Sequence, residues 1–300
     1  MSFLVEHVRS LWGRWWIVPL LPAVHALAMA AAGQLKPMHV AVALAVWVGA
    51  NINRWSRDFV AATMPVLAVG LVYEWMGPIS RALVRPERVW GCDLRAIELK
   101  VFGVGPDTTL ADFFGTHHSP LFDLVFAAPY AAFLYICVAY AIYLYFRDRE
   151  RMAHYLLAFG LVHFIAFTIY MIMPAAPPWY IRAHGCVIDM AALPSPARLA
   201  RVDDYLGIGY FKAFYSQNAN VFGAMPSLHA AMPSLGLFTA WAKIGWRTRP
   251  IHLAYLAIML FASFYLDHHW LIDGVAGVLA AWISVVVAGW LLRGRQPAMP

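Results

Sequence analysis

The sequence predicts an all-α polytopic membrane protein of about eight spans. Three observations carry that expectation. Of 300 residues, 62% are hydrophobic and 13% charged, against roughly 25% charged in a soluble globular chain. The apolar residues gather in runs, most of them near the ~20 residues that cross a bilayer as a helix. The 13 Trp and 14 Tyr suit a chain anchored at the membrane interfaces. The net charge of +6 says less than the placement of the cations, and no nucleic-acid partner is expected from it.

The first apolar run, about 15–33, follows Arg9 and Arg14 and ends at no small-residue cleavage site, so it is read as retained. A short run at about 38–50 and a third at about 59–76 come next. The fourth covers 121–146 and the fifth 153–173. Pro174-Ala175-Ala176-Pro177-Pro178-Trp179-Tyr180 ends the fifth abruptly, because proline stops a helix and restricts the residue before it. The last three are 229–245, 250–266 and 271–292. Lys and Arg then sort by connection. Arg9 and Arg14, Arg54 and Arg57, Arg147 to Arg151, Lys243 to Arg249, and Arg293 with Arg295 fall on one side, whereas the short connections 34–37 and 266–270 hold only Lys36. The positive-inside rule makes the first side cytoplasmic, with both termini there.

Two long segments, 77–120 and 174–228, and the short one at 266–270 then face the extracytoplasmic side. Asp93 to Phe102 places Leu94, Ile97 and Val101 at helical spacing and reads either as an interfacial helix or as a plain surface loop. Cys92 and Cys186 are both external while Cys137 lies in a span, so an oxidising compartment would allow the external two to pair.

Two strings carry the chemistry: Pro226-Ser227-Leu228-His229-Ala230 and His268-His269-Trp270-Leu271-Ile272-Asp273. A histidine with an aspartate four residues later shares one helix face with it. The carboxylate can hold one imidazole nitrogen while the other faces a substrate. His229, about forty residues earlier and also at a membrane edge, is its natural partner. Two histidines and an aspartate suffice for nucleophilic attack on phosphorus with acid catalysis of departure. No spacing joins His117-His118 to cysteine or carboxylate ligands, so neither a metal nor a cofactor is expected.

In this order, each opening a membrane helix, the two strings resemble the type-2 phosphatidic acid phosphatase superfamily, whose members use a six-helix membrane core. FGAMPSLHA, MPAAPPWY and the doubled histidine are similar to its inositol phosphorylceramide synthase branch. The resemblance covers about residues 60–292. It implies a catalytic six-helix core over 59–300, with external loops 77–120 and 174–228, preceded by two accessory transmembrane helices in 1–58. It also implies that His269 is the nucleophile and forms a phosphohistidine, that Asp273 orients it, and that His229 protonates the leaving oxygen and then deprotonates the incoming hydroxyl. Ser227 and the free N–H groups at the start of the sixth span would hold phosphate oxygens.

The chain departs from the wider superfamily in its cations. No K-x6-R-P string precedes PSLHA, and Ser263 stands where an arginine usually precedes the nucleophile. Arg182 is the first substitute and His268 the second; Arg81 and Arg85 could reach the site from the first external segment. The alternatives are a lipid-headgroup or solvent contact for Arg182 and a structural hydrogen bond for His268. Asp123 and Tyr130 either shape an acceptor pocket or serve as cap and anchor. The expected activity is a lipid phosphotransferase that moves an inositol-phosphate-like headgroup from a phospholipid donor to a lipid alcohol such as ceramide, on the extracytoplasmic face. The runner-up is a lipid phosphate or pyrophosphate phosphatase with water as acceptor. A non-catalytic transporter would put ionisable groups within spans along a path, whereas here they cluster at one face. The oligomeric state is left open.

Overall fold

A computed structural model describes residues 2–216 and 220–293. Arg295, one of the cations assigned to the cytoplasmic side, lies outside the described residues. Among those described, the chain is helical, with isolated bridges and no strand. The helices are α1 (Ser2–Trp12), α2 (Leu21–Ala31), α3 (Pro37–Asn51), α4 (Arg54–Leu83), α5 (Cys92–Phe102), α6 (Leu110–Thr116), α7 (Pro120–Arg147), α8 (Arg149–Ile172), α9 (Pro178–His184), α10 (Leu199–Leu206), α11 (Tyr210–Tyr215), α12 (Leu228–Ala240), α13 (Arg249–Tyr265) and α14 (Leu271–Arg293). They fall into two compact units, Met1–Val72 and Tyr73–Pro300.

In the first unit α2 packs on α3. The Trp12 indole N–H donates to the Ala50 carbonyl at 3.0 Å, and His7 Nε2 lies 2.8 Å from the Asn51 carbonyl, which ties α1 to the end of α3. The first apolar run is not one straight span. The axis turns by 102° between Val5–Trp15 and Val18–Ala31. Gly13 takes a positive φ of 53°, a conformation open to glycine and costly for most residues, and Pro19 and Pro22 each remove a helical donor.

Four helices are long and apolar enough to cross a membrane: α4, α7, α8 and α14; the bent pair would make a fifth. The described residues thus give four to five spans by length, where eight were expected. The difference lies in α3 and α13, apolar but 15 and 17 residues long, and in α12, which stops after 13 residues. Conversely, α4 runs for 30 residues, well past the expected 59–76.

In the second unit α12 is central. It packs on α14, α8, α13 and α7, and every residue from Ala230 to Leu237 is buried, as expected of a helix apolar on all sides. Apart from Asp273, the buried residues of α14 are small: Gly274, Gly277, Ala280, Ala281, Ser284 and Ala288. Small side chains let helix backbones approach closely. A Cβ at Gly277 would overlap the Ser227 carbonyl oxygen.

The segments after α4 and α8 come together over these helix ends. Cys92 and Cys186 are joined by a disulfide. Isolated bridges link Trp90 to Ala175 and Ala175 to Gly223, so the Pro-rich segment after α8 is paired on both sides. Residues 93–102 are helical, as one of the two readings had it. The buried face, however, is Leu94 and Glu98, while Ile97 and Val101 are exposed.

Candidate active site

The Pro226–Ala230 string is fixed from two directions. The Tyr170 hydroxyl of α8 donates to the Pro226 carbonyl at 2.9 Å. The Ser227 amide donates to the Asp273 carbonyl, also at 2.9 Å, which joins the two motifs through the backbone. Ser227 is also the N-cap of α12, so His229 sits in the first turn of the most buried helix.

The second string is a turn, not the helix face that the spacing suggested. The chain leaves α13 and passes Asp267, whose φ is 71°; aspartate is among the few side chains that enter this left-handed region readily. The amides of His268 and His269 both donate to the Ser263 carbonyl at 3.1 Å, and α14 begins only at Leu271. The Trp270 indole donates to the Ala176 carbonyl at 3.0 Å, clamping this turn to the Pro-rich segment.

The two histidines meet. His229 Nδ1 lies 3.2 Å from His269 Nε2. His269 Nδ1 lies 2.8 Å from the Ala224 carbonyl and 3.7 Å from Asp273 Oδ2. The sequence pointed to Asp273 as the direct partner of His269. Because His269 precedes α14, its ring turns to a backbone carbonyl, and the carboxylate acts at longer range. A carbonyl can only accept, so Nδ1 carries the proton and Nε2 keeps its lone pair, facing His229. Asp273 Oδ2 also accepts the Trp270 amide at 2.8 Å. The Tyr130 ring is stacked on His229 at 3.9 Å and 8°. Its hydroxyl, 3.2 Å from Nδ1, therefore lies over the imidazole face, and the contact is chiefly stacking.

The two helix starts differ. At α14, Glu98 accepts the amides of Leu271 (2.9 Å) and Ile272 (3.1 Å), and burial raises its pKa against those two bonds. At α12, no carboxylate takes the amides of Leu228, His229 and Ala230, and Ser227 Oγ is buried without a partner among the described residues. The helix start left without a carboxylate partner is thus that of α12, beside both histidines.

The expected cations are placed differently. Arg182, on α9, donates to Asp267 at 3.1 and 2.7 Å and to Asp112 at 2.7 Å. Burial opposes its charge, but the two carboxylates outweigh burial and raise its pKa. Its donors are engaged, and what they hold is the turn before His268. His268 is buried, and burial, with His269 and Arg198 nearby, pushes its pKa down to about 3. It is neutral near pH 7 and cannot supply the missing positive charge. Arg81 and Arg85 are exposed, and no hydrogen bond or ion pair joins either to the histidines. Asp123 is buried and accepts from Arg201 (2.7 Å), Tyr205 (3.0 Å) and Tyr265 (2.8 Å), so it binds α7 to α10 and α13 instead of capping alone.

Four groups escaped the sequence reading: the Ala224 carbonyl, Glu98, Asp267 and Arg198. Arg198 donates to the Tyr265 and Ala111 carbonyls at 2.9 and 2.6 Å. Two of them left a signal. Glu98 is a carboxylate one turn from buried Leu94, and Asp267 directly precedes the histidine pair.

A helical membrane core with two histidines apposed at an open helix start defines a class, and comparison with known proteins agrees with it. Residues 100–287 match the PAP2 superfamily, and the chain belongs to that family. Within it the sequence falls with the inositol phosphorylceramide synthases. It is similar to a phosphoinositol dihydroceramide synthase of Bacteroides thetaiotaomicron, 30% identical over 279 residues, 91% of this chain and 89% of that protein. It is also similar to the inositol phosphorylceramide synthase catalytic subunit AUR1 of Saccharomyces cerevisiae, 30% identical over 198 residues, and to the inositol phosphorylceramide synthase of Candida albicans, 29% over 190. Those matches take in 63% and 62% of this chain but 47% and 39% of the fungal proteins. No solved structure matches.

Proposed function

We propose that this protein is a lipid phosphotransferase that moves an inositol-phosphate-like headgroup from a phospholipid to a lipid alcohol such as ceramide, through a phosphohistidine on His269. The observation that carries the reading is the apposition of His229 Nδ1 and His269 Nε2 at 3.2 Å, beside the first-turn amides of α12.

In the first half-reaction the lone pair of His269 Nε2 attacks phosphorus. The bond from phosphorus to the diacylglycerol oxygen breaks, and that oxygen takes a proton from His229, which enters this step as an imidazolium and leaves it neutral, ready to act as the base of the second. The Ala224 carbonyl and Asp273 stabilise the positive charge that grows on the His269 ring. In the second half-reaction His229 takes the proton of the acceptor hydroxyl. The alkoxide oxygen bonds to phosphorus, and the N–P bond returns its electron pair to Nε2. Ser227 Oγ and the α12 amides hold the phosphoryl oxygens, where charge grows in the transition state. An in-line phosphorus must stand between nucleophile and leaving oxygen, so the 3.2 Å contact opens when the donor binds.

The wider proposal keeps a six-helix catalytic core in 59–300 and two accessory helices in 1–58 among about eight spans, both termini cytoplasmic, and the site on the extracytoplasmic face. Transfer, as opposed to hydrolysis, requires water to be kept from the phosphohistidine. The Pro/Trp-rich segment 174–180 and the 184–222 loop are the elements assigned to that task.

Purified protein incubated with labelled phosphatidylinositol and ceramide, followed by mass spectrometry of the lipids, tests the reading. The expected product is a ceramide carrying the phospho-headgroup, absent with His269→Ala. Free phospho-headgroup as the sole product would make the enzyme a hydrolase, and near-wild-type turnover by His269→Ala would refute the mechanism.

A further inference from the structure

His268 is unlike the other histidines of the site. Its ring is buried, with 6% exposure. It stacks against two tyrosine rings, 4.6 Å from Tyr215 and 5.4 Å from Tyr130 between centroids, and Tyr130 is the same ring that stacks on His229. A hydrogen bond to the Pro196 backbone occupies one side of the imidazole. Nε2 is buried and has no partner among the described residues. Buried polar atoms in native interiors are nearly always paired, and an exception calls for an explanation.

The chemistry of that atom is narrow. With the Pro196 carbonyl accepting from the other ring nitrogen, Nε2 holds only a lone pair. It can accept a hydrogen bond and cannot donate one. Phosphoryl oxygens are themselves acceptors, so they do not complement it. Protonation would convert it to a donor, but burial, His269 and Arg198 all oppose that. The natural complement is a hydroxyl, and the neighbouring residue in the chain is the one to which phosphorus is transferred.

We propose that His268 Nε2 accepts a hydrogen bond from a substrate hydroxyl next to the reacting phosphorus. That hydroxyl belongs either to the polyol headgroup carried by the phosphate or to the lipid alcohol that receives it. The proposal rests on the transfer reaction above and adds the group that reads its hydroxyl-bearing part. No proton moves: His268 is an acceptor held in place by Tyr130 and Tyr215, and it favours substrates that can fill it.

The test uses ratios, so that a general loss of activity does not count. His268→Phe keeps a flat ring against Tyr130 and Tyr215 and deletes the acceptor. His268→Gln places a carbonyl oxygen near the position of Nε2 and serves if the Phe variant does not fold. Phosphatidylinositol is compared with phosphatidylmethanol, a phosphodiester with no headgroup hydroxyl, each with and without ceramide. If the headgroup fills Nε2, the preference for phosphatidylinositol over phosphatidylmethanol falls about tenfold or more in the Phe variant, since a site built for a hydroxyl loses discrimination without its partner. If the acceptor fills it, the ratio of lipid-linked to free phospho-headgroup falls by a similar factor. In either case His268→Gln recovers part of the ratio. Both ratios staying within about twofold of wild type, an interaction too small to matter, would overturn the proposal whatever the absolute rate. Wild-type protein that consumes neither donor would instead refute the parent reading.

Discussion

Arg182 is the cation that the sequence offers for the phosphate, and its surroundings argue for another role. Its guanidinium is shared between Asp267 and Asp112, and Asp267 lies in the turn that presents His268 and His269. Removing one partner of a buried pair costs about 3–5 kcal/mol; the Arg182 side chain is 41% exposed, so screening reduces its share. We expect Arg182→Ala to lower kcat about tenfold by letting the turn drift, since small misplacements of reacting groups are costly, and to leave KM for the donor nearly unchanged. A cycle with Asp267→Ala separates the roles. If Arg182 acts through Asp267, the double variant loses little more than the worse single variant, with a coupling of about 1 kcal/mol. Effects that multiply, together with a raised KM, would return Arg182 to the phosphate. His268 carries a pH consequence. Its folded pKa of about 3 lies below the ordinary value near 6.5. The neutral ring's contribution to stability is therefore complete above about pH 6.5 and is lost progressively as pH falls toward 3. His268→Gln should flatten that part of the acid-unfolding profile; an unchanged profile would place the acid sensitivity elsewhere.

Among the elements, α14 and α12 define the site by how closely they approach. The small residues of α14 allow Gly277 to lie against the Ser227 carbonyl, and the Ser227 amide is bonded to Asp273 in the same region. Gly277→Ala must therefore push the start of α12, and with it His229, away from His269. A loss of about 1–3 kcal/mol is expected for such overpacking, read as a lower midpoint of thermal unfolding in detergent, accompanied by a loss of turnover. The control is Gly70 in α4, where an added Cβ meets nothing within 4 Å. There the same change should be neutral or stabilising by about 0.5–1 kcal/mol, because alanine favours a helix interior. Equal costs at both positions would mean that close approach at Gly277 is not what matters. Glu98 adds a second constraint: by closing the α14 amides it leaves α12 as the helix start open to an anion.

At the scale of the whole molecule, the question is which face of the membrane the site occupies. The cation distribution puts the α10 region outside and the turn before α13 inside. The native cysteines make this testable without removing them, since two are joined in a disulfide and the third, Cys137, is buried. Asp204→Cys places a thiol at a well-exposed position in α10, and Thr248→Cys at an exposed one before α13. In intact cells an impermeant maleimide should label the first and spare the second. The reverse pattern would put the chemistry on the cytoplasmic side.

The amino-acid sequence by itself determined the membrane character and the family, and it singled out the two histidines whose rings lie 3.2 Å apart. Each depends on composition or on a short contiguous string, and local patterns of that kind can be read without coordinates. It also placed Cys92 and Cys186 on one side, and they are bonded. What only the tertiary structure decided is what each group touches. His269 is held by the Ala224 carbonyl, 45 residues away in the chain, Arg182 by Asp267, 85 residues away, and the α14 amides by Glu98, 173 residues away. No periodicity encodes such pairings, because they arise when segments after α4, α8 and α13 are packed over the same helix ends. The bend in the first apolar run and the early stop of α12 escaped for a related reason. Hydropathy measures how apolar a stretch is, whereas a helix ends or turns according to backbone geometry and the neighbours it packs against.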